Sequence, residues 1–227
     1  MITARNKYGQ YAIPESSVNR TVAVILKSGR VYEEETIEYI LDNRGDGAVV
    51  HAGAYIGDFL PALGADNHKV YAFEAVRENC EYAAKTLELN FGFNHHVELW
   101  QRALGATDDE AVKIITHDYN GNNIGCGSMI EGRIHKAEGT NFEEVTTITI
   151  DTVVPEDQHV SLIHLDVEGF EEQALKGALK TIERCKPILV LECWQDEMLK
   201  TSFYVDKIFG IGYTVAGKVC ENVILAP

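Results

Sequence analysis

Short apolar runs that alternate with helical patterns dominate the chain after residue 47. The strand-like runs span residues 48–50, 70–73, 96–100, 161–165, 188–191, 213–215 and 222–225. The helical patterns span about 56–63, 77–89, 170–184 and 196–209. Apolar strands without clean polar alternation, separated by helices, are typical of a mainly parallel sheet covered on both faces. We therefore predict a doubly wound α/β fold with a mainly parallel seven-stranded sheet whose last two strands form a hairpin.

The N-terminal part of the chain follows a different pattern. Two runs, Tyr8 to Ile13 and Thr21 to Leu26, have the composition of extended segments and are separated by turn-forming residues. From Glu33 to Asn43 apolar residues recur at helical spacing. We therefore divide the chain into an appendage of a β-hairpin and a helix, residues 1–47, and a ligand-binding domain, residues 48–227. The extended part of the appendage is also a candidate interface for a homodimer.

Composition and charge narrow the classes of partner. Hydrophobic residues make up 45% of the chain and charged residues 24%, as in ordinary soluble globular proteins. No stretch approaches the roughly 18 apolar residues of a membrane span, and the N-terminus has no apolar signal-peptide core. The 35 acidic residues outnumber the 20 basic ones and give a net charge of -15, which repels phosphate backbones and anionic lipids. We expect a cytoplasmic protein that binds neither nucleic acid nor membranes.

A glycine-containing turn, His51-Ala52-Gly53-Ala54-Tyr55-Ile56-Gly57, follows the first strand of the predicted domain. Glycine permits backbone conformations that other residues resist, and it lets a ligand approach the main chain. Glu74 ends the second strand, 21 residues after Gly53, where a carboxylate can accept hydrogen bonds from the ribose hydroxyls of adenosine. Tyr55 stands where a dinucleotide fingerprint has its second glycine, and its side chain would obstruct a pyrophosphate. The pattern therefore favours a compact adenosine ligand over a nicotinamide dinucleotide.

An acidic run follows the strand at residues 161–165 and contains Asp166, Glu168 and Glu171. Acidic residues at a helix N-terminus are stabilised by the helix dipole, which accounts for Glu171 and in part for Glu168. Asp166 would instead face the crevice beyond the strand ends, where ligands bind in sheets of this kind.

With these motifs in place, the stretch from Val31 to Cys193 resembles the FkbM family of methyltransferases. Beyond the turn and the acidic run, the matching segments are residues 70–74, 102–105, 150–152, 175–178 and 187–192. The resemblance implies a class I, Rossmann-like fold that uses S-adenosyl-L-methionine to methylate a hydroxyl of a small molecule or sugar. It implies a cofactor site formed by His51, Gly53, Ala54, Tyr55, Gly57, Glu74, Ala75, Ala103, Leu104 and Asp166.

Two positions depart from the family pattern. The family usually has Asp where this chain has His51, and often Lys where it has His164. The resemblance places both on neighbouring strands, so either an acid–base pair has been exchanged for a histidine pair, or two neutral imidazoles are simply hydrogen-bonded there. A metal held by His51, His164 and Asp166 is not required by the family motif, and we expect no metal.

Methylation of a hydroxyl needs a base to remove its proton during the transfer. By position Asp166 is the first candidate, followed by His164 and Glu168, with Glu192 more remote. The Gly- and Asn-rich loop from His117 to Glu144 is a candidate substrate lid. Two other functions stay open: a non-catalytic protein that binds an adenosine ligand, and a nicotinamide-dependent oxidoreductase.

Overall fold

The computed structural model of the protein describes residues 1–93, 96–117, 141–193 and 196–227. Its strands are β1 (Ile2–Arg5), β2 (Gln10–Ile13), β3 (Ala48–Ala52), β4 (Val70–Phe73), β5 (Val97–Trp100), β6 (Ala103–Leu104), β7 (Ala111–His117), β8 (Asn141–Ile148), β9 (Val160–Leu165), β10 (Ile188–Glu192), β11 (Thr214–Val219) and β12 (Asn222–Ala226). Its α-helices are α1 (Thr21–Lys27), α2 (Glu34–Asn43), α3 (Leu60–Leu63), α4 (Arg77–Phe91), α5 (Ile150–Val153), α6 (Glu171–Lys176) and α7 (Leu179–Cys185). Among these, no helix is long and apolar enough to cross a membrane.

A seven-stranded sheet in the order β11-β12-β10-β9-β3-β4-β5 forms the centre of the fold. The five strands from β10 to β5 are parallel, whereas β12 runs antiparallel to β10 and forms a hairpin with β11. Every residue of β3 and β4 is buried, which explains why these strands lack polar alternation. The predicted fold class is confirmed.

Two apolar cores cover the two faces of this sheet. One packs Val50 and Ile163 of the sheet against Leu175 and Ile182, which belong to α6 and α7. The other packs the opposite face against α2, α3 and α4, with the members Val49, Leu162, Ile37, Leu60 and Leu87. Because side chains alternate along a strand, His51 and His164 lie on the second face, two residues beyond Val49 and Leu162.

The prediction of an extended segment from Thr21 to Leu26 is wrong, because these residues form α1. Ala23 and Leu26 lie on one face of this helix and are buried against Tyr11 and Ile56, so packing overrides the strand preference of the β-branched residues between them. The N-terminal hairpin pairs β1 with β2 instead, from Ile2 opposite Ile13 to Arg5 opposite Gln10.

A small second sheet, in the order β6-β8-β7, was not predicted. Its strands β7 and β8 are antiparallel, and β8 begins at Asn141, inside the segment from His117 to Glu144 that was predicted as a loop. The β-branched residues Val112, Ile114 and Thr116 at every second position are the sequence signal that would have indicated a strand, and in the structure they are less exposed than the residues between them. Most of the predicted lid, residues 118–140, lies outside the described residues.

Three predicted helices have different limits in the structure. The helix after the glycine turn begins only at Leu60, and the helix predicted at 170–184 is divided at Gly177. A Cβ atom at Gly177 would lie 2.1 Å from the carbonyl oxygen of Gly105, so the chain passes close to β6 at this point. The segment predicted as a helix at 196–209 consists of short 3-10 and π-helical turns.

Candidate active site

A cavity of about 230 Å³ lies at the carboxyl ends of β3, β4 and β9. Three parallel strands end side by side here, so residues far apart in sequence meet at one edge of the sheet. The cavity is lined by the predicted residues His51, Gly53, Tyr55, Glu74, Ala75, Ala103, Leu104, His164, Asp166 and Glu168. The structure therefore brings together all of the predicted site residues except Ala54 and Gly57.

Gly53 makes the turn at the end of β3, with a φ of +86°. A Cβ atom at this position would lie 1.9 Å from the carbonyl oxygen of Asp166, closer than any side chain tolerates. The amide groups of Gly53 and Ala54 both donate to the carbonyl oxygen of Phe73, which ties the turn to β4. The turn thus depends on glycine because the β9 backbone passes directly against it.

Ala54 and Gly57 lie behind the cavity wall, and their predicted contact with a cofactor has no support from their position. Ala54 is fully buried in the core on the α3 and α4 side of the sheet. Gly57 has a φ of +82°, and a Cβ atom there would meet Ala83 and Thr86 of α4 at 3.2 Å. Gly57 therefore allows α4 to pack closely on the turn.

The carboxylate of Glu74 is fixed by two backbone hydrogen bonds at the end of β4. Its Oε2 atom accepts the amide hydrogen of Tyr55 at 2.7 Å, and its Oε1 atom accepts that of Val76 at 2.8 Å. Burial raises the pKa of Glu74 to about 7, although these hydrogen bonds act in the opposite direction. Each carboxylate oxygen can accept a further hydrogen bond, so Glu74 is positioned to bind hydroxyl groups.

His51 and His164 form a buried pair on adjacent strands. They are directly in register, each is 1% exposed, and their Nδ1 atoms are 2.8 Å apart. The ring centroids are 5.0 Å apart and the planes differ by only 4°, which together with the short Nδ1–Nδ1 distance places the rings edge to edge.

Both imidazoles of this pair are neutral. Burial lowers the pKa of His164 to about 4 and that of His51 well below its usual value. One Nδ1–H group must therefore donate to the other Nδ1 lone pair, as in the interpretation of two hydrogen-bonded neutral imidazoles. Because its pKa is low and its Nδ1 atom is engaged, His164 is poorly suited to the predicted role of a base.

Asp166, Glu168 and Glu192 form a carboxylate cluster at the ends of β9 and β10. Their ligand oxygens lie within 4.8 Å of one another, close enough to be bridged by one cation. Burial, followed by the charge of Glu192, raises the pKa of Asp166 well above its usual value. The neighbouring Glu171 is structural, because its Oε1 atom accepts the amide hydrogens of Val167 and Gly169.

Several residues of the cavity wall were missed by the sequence analysis. Arg20, Thr21, Val22 and Tyr32 come from the N-terminal segment, and Asp58 comes directly after the glycine turn. Burial raises the pKa of Asp58 to about 7. Only the position of Asp58 next to the turn was a usable signal, since the other four reach the cavity through tertiary packing.

The model of the FkbM methyltransferase domain matches residues 51–205 of this chain. The chain belongs to the FkbM methyltransferase family. Methyltransferase FkbM from Methylobacillus flagellatus KT aligns with a TM-score of 0.52 and 17% identity, over 96% of this chain and 48% of that chain. A tRNA (uracil-54, C5)-methyltransferase from Pyrococcus abyssi, solved with S-adenosyl-L-homocysteine, aligns with a TM-score of 0.50 and 13% identity, over 99% and 43%.

The chain thus spans less than half the length of these two solved structures. At such identities they show the fold, which agrees with the class I methyltransferase architecture described above. None of the curated proteins matches the chain by sequence. The predicted family and the predicted cofactor, S-adenosyl-L-methionine, are confirmed at the level of the FkbM domain.

The cavity of this FkbM domain fits that cofactor. Gly53 lines the wall without a side chain, and the carboxylate oxygens of Glu74 can accept hydrogen bonds from hydroxyl groups. Ala75, Ala103 and Leu104 add small apolar surface to the wall. The acidic residues of the same wall favour a ligand that carries positive charge.

Proposed function

We propose that the protein is an O-methyltransferase that transfers the methyl group of S-adenosyl-L-methionine to a hydroxyl of a small molecule or sugar. The observation that supports a hydroxyl acceptor is the half-buried carboxylate cluster of Asp166, Glu168 and Glu192, of which Asp166 and Glu168 line the cavity. A hydroxyl must lose its proton as the new C–O bond forms, and this cluster supplies proton acceptors at the place where Asp166 and Glu168 line the wall.

The bound cofactor supplies a methyl group activated for displacement by its sulfonium. The chain holds the ligand through Glu74 and the glycine turn, and it aligns the acceptor within the cavity. Burial and the neighbouring charge of Glu192 raise the pKa of Asp166, so the ionised Asp166 carboxylate is a stronger proton acceptor than an ordinary aspartate. This basicity suits Asp166 to take the hydroxyl proton.

Calorimetry with S-adenosyl-L-homocysteine tests the cofactor site. The variant Glu74→Ala should lose most binding, because it removes the carboxylate that Tyr55 and Val76 hold in place. The variant Asp157→Asn, which changes an exposed acid of the same charge, serves as the control. Normal binding by Glu74→Ala would refute the ribose assignment.

Turnover of S-adenosyl-L-methionine with a panel of sugars and other polyols tests the reaction. Asp166→Asn should lower turnover by roughly 100-fold or more, the range of a lost general base, while it still binds S-adenosyl-L-homocysteine. Transfer to amine or carbon acceptors only would contradict the proposal of O-methylation. Cofactor binding without transfer to any acceptor would favour the non-catalytic alternative.

A further inference from the structure

The cavity wall carries mostly negative charge. Its acidic members are Asp58, Glu74, Asp166 and Glu168. Among the residues that the structure describes along this wall, Arg20 and Arg102 have the positive side chains, because both histidines are neutral. S-adenosyl-L-methionine brings an anion to this wall, since the carboxylate of its amino-acid part is ionised at neutral pH. The acids repel that carboxylate, whereas a guanidinium can bind it through two parallel hydrogen bonds.

The order of the strands indicates how the cofactor lies across the cavity. Glu74, the expected ribose ligand, ends β4, which lies between β3 and β5. On the β5 side the wall is apolar, and the buried side chains of Ala103 and Leu104 suit a flat adenine ring. On the other side, β3 and β9 are followed by Gly53 and Asp166. Because adenine and the amino-acid part are attached at opposite ends of the ribose, the amino-acid part belongs on the β3 and β9 side.

Arg20 lies on this second side of the cavity. It directly precedes α1, and this helix packs against Tyr55 and Ile56 of the turn that follows β3. The amide of Arg20 donates to the carbonyl oxygen of Ser17, and its own carbonyl oxygen accepts from the amide of Val24, both at 2.9 Å. The backbone of Arg20 is thus fixed beside the glycine turn, and the residue forms part of the wall there.

Arg102 lies on the adenine side instead. It follows β5 in the chain and directly precedes Ala103. Its side chain is exposed, and its Nη1 atom donates to the carbonyl oxygen of Gln101 at 3.1 Å. A carboxylate at Arg102 would require the cofactor to lie in the reverse orientation, with its adenine among the acids that follow β3 and β9. Arg102 is therefore a matched comparison for Arg20.

We infer that Arg20 is a cofactor-binding residue whose guanidinium binds the carboxylate of the methionine part of S-adenosyl-L-methionine. Arg20 lies outside residues 51–205, the segment matched by the family model, so the match to the FkbM domain does not assign this role. The N-terminal appendage thereby completes the cofactor site. Binding at Arg20 requires no methyl acceptor, so it is independent of the proposal of O-methylation.

Decarboxylated S-adenosyl-L-methionine tests this role of Arg20, because it lacks the carboxylate and keeps the rest of the cofactor. Calorimetry without a methyl acceptor gives the affinity of the unsubstituted full-length protein for both compounds. We expect the decarboxylated form to bind roughly 10-fold to 100-fold more weakly, the range of hydrogen bonds between charged groups. Equal affinity for the two compounds would overturn the inference.

Two arginine variants show which side chain binds the carboxylate. Arg20→Met keeps an apolar side chain without the charge, so its affinity for S-adenosyl-L-methionine should fall by the same factor, while its affinity for the decarboxylated form stays unchanged. Arg102→Met removes a positive charge from the adenine side and should keep the preference for the carboxylate. If Arg20→Met weakens both compounds equally, or if Arg102→Met abolishes the preference, the inference is wrong. Should Arg20→Met fail to fold, the unsubstituted protein and Arg102→Met still decide.

Discussion

Replacement of Gly53 by alanine is the most direct test of how the turn forms the site. At a φ of +86°, a residue with a Cβ atom pays roughly 1–2 kcal/mol for its backbone conformation alone. The added Cβ atom would also lie 1.9 Å from the carbonyl oxygen of Asp166, so β9 or the turn must move by about 1 Å, and forced overpacking of this kind costs roughly 1–3 kcal/mol. We expect Gly53→Ala to lower the free energy of unfolding by about 2–5 kcal/mol.

Gly45 provides a matched control for this substitution. It has a φ of +53°, but an added Cβ atom would meet nothing within 4 Å, so Gly45→Ala should cost only the backbone strain, about 1–2 kcal/mol. Urea unfolding of both variants gives the difference, which isolates the collision with Asp166. Calorimetry should show weaker S-adenosyl-L-homocysteine binding for Gly53→Ala only. Equal destabilisation of the two variants, with unchanged binding, would refute the reasoning.

Two further predictions concern buried titratable groups. In a double-mutant cycle, His51→Leu and His164→Leu should each lower the free energy of unfolding by roughly 1–3 kcal/mol, because each leaves one buried nitrogen without its partner. The double variant should lose less than the sum of the two single losses. Additive losses in urea unfolding would contradict the hydrogen bond between the two imidazoles. Burial raises the pKa of Asp58, Glu74 and Glu171 to about 7 in the folded protein, so their stabilising contribution is present at low pH and is lost as the pH rises from about 4.5 through 7. Glu171→Gln should reduce the fall in unfolding free energy between pH 5 and pH 8 by up to about 3 kcal/mol, whereas the exposed control Glu35→Gln should not change it.

The central sheet was predictable because local pattern and tertiary environment agree there. The strands β3, β4, β9 and β10 are buried on both faces, and a continuous apolar run is the direct consequence. The segment Thr21–Lys27 failed for the opposite reason, since its β-branched composition favours a strand while its packing against Tyr11 and Ile56 requires a helix. Propensity is a weak signal where one buried face decides the outcome.

The candidate site was predictable only as far as its motifs are contiguous. Gly53, Glu74 and Asp166 each follow a strand, and the fold rule that ligands bind at strand ends was enough to group them. Glu192 was a remote option because its distance from Asp166 depends on strand order and register, which no local pattern contains. Tyr32 reaches the cavity from the N-terminal segment, so long-range packing alone positions it.

The two departures from the family pattern are best understood as one structural change. His51 and His164 are in register and share a hydrogen bond in a fully buried environment, so neither position is free to vary alone. An aspartate at position 51 beside a neutral histidine would bury an uncompensated charge, and a lysine at position 164 would do the same with the opposite sign. A pair of neutral imidazoles avoids both costs, provided that its outer nitrogens find partners. Within the described residues neither Nε2 atom has a hydrogen-bond partner, and both histidines line the cavity, so a bound ligand is the candidate partner.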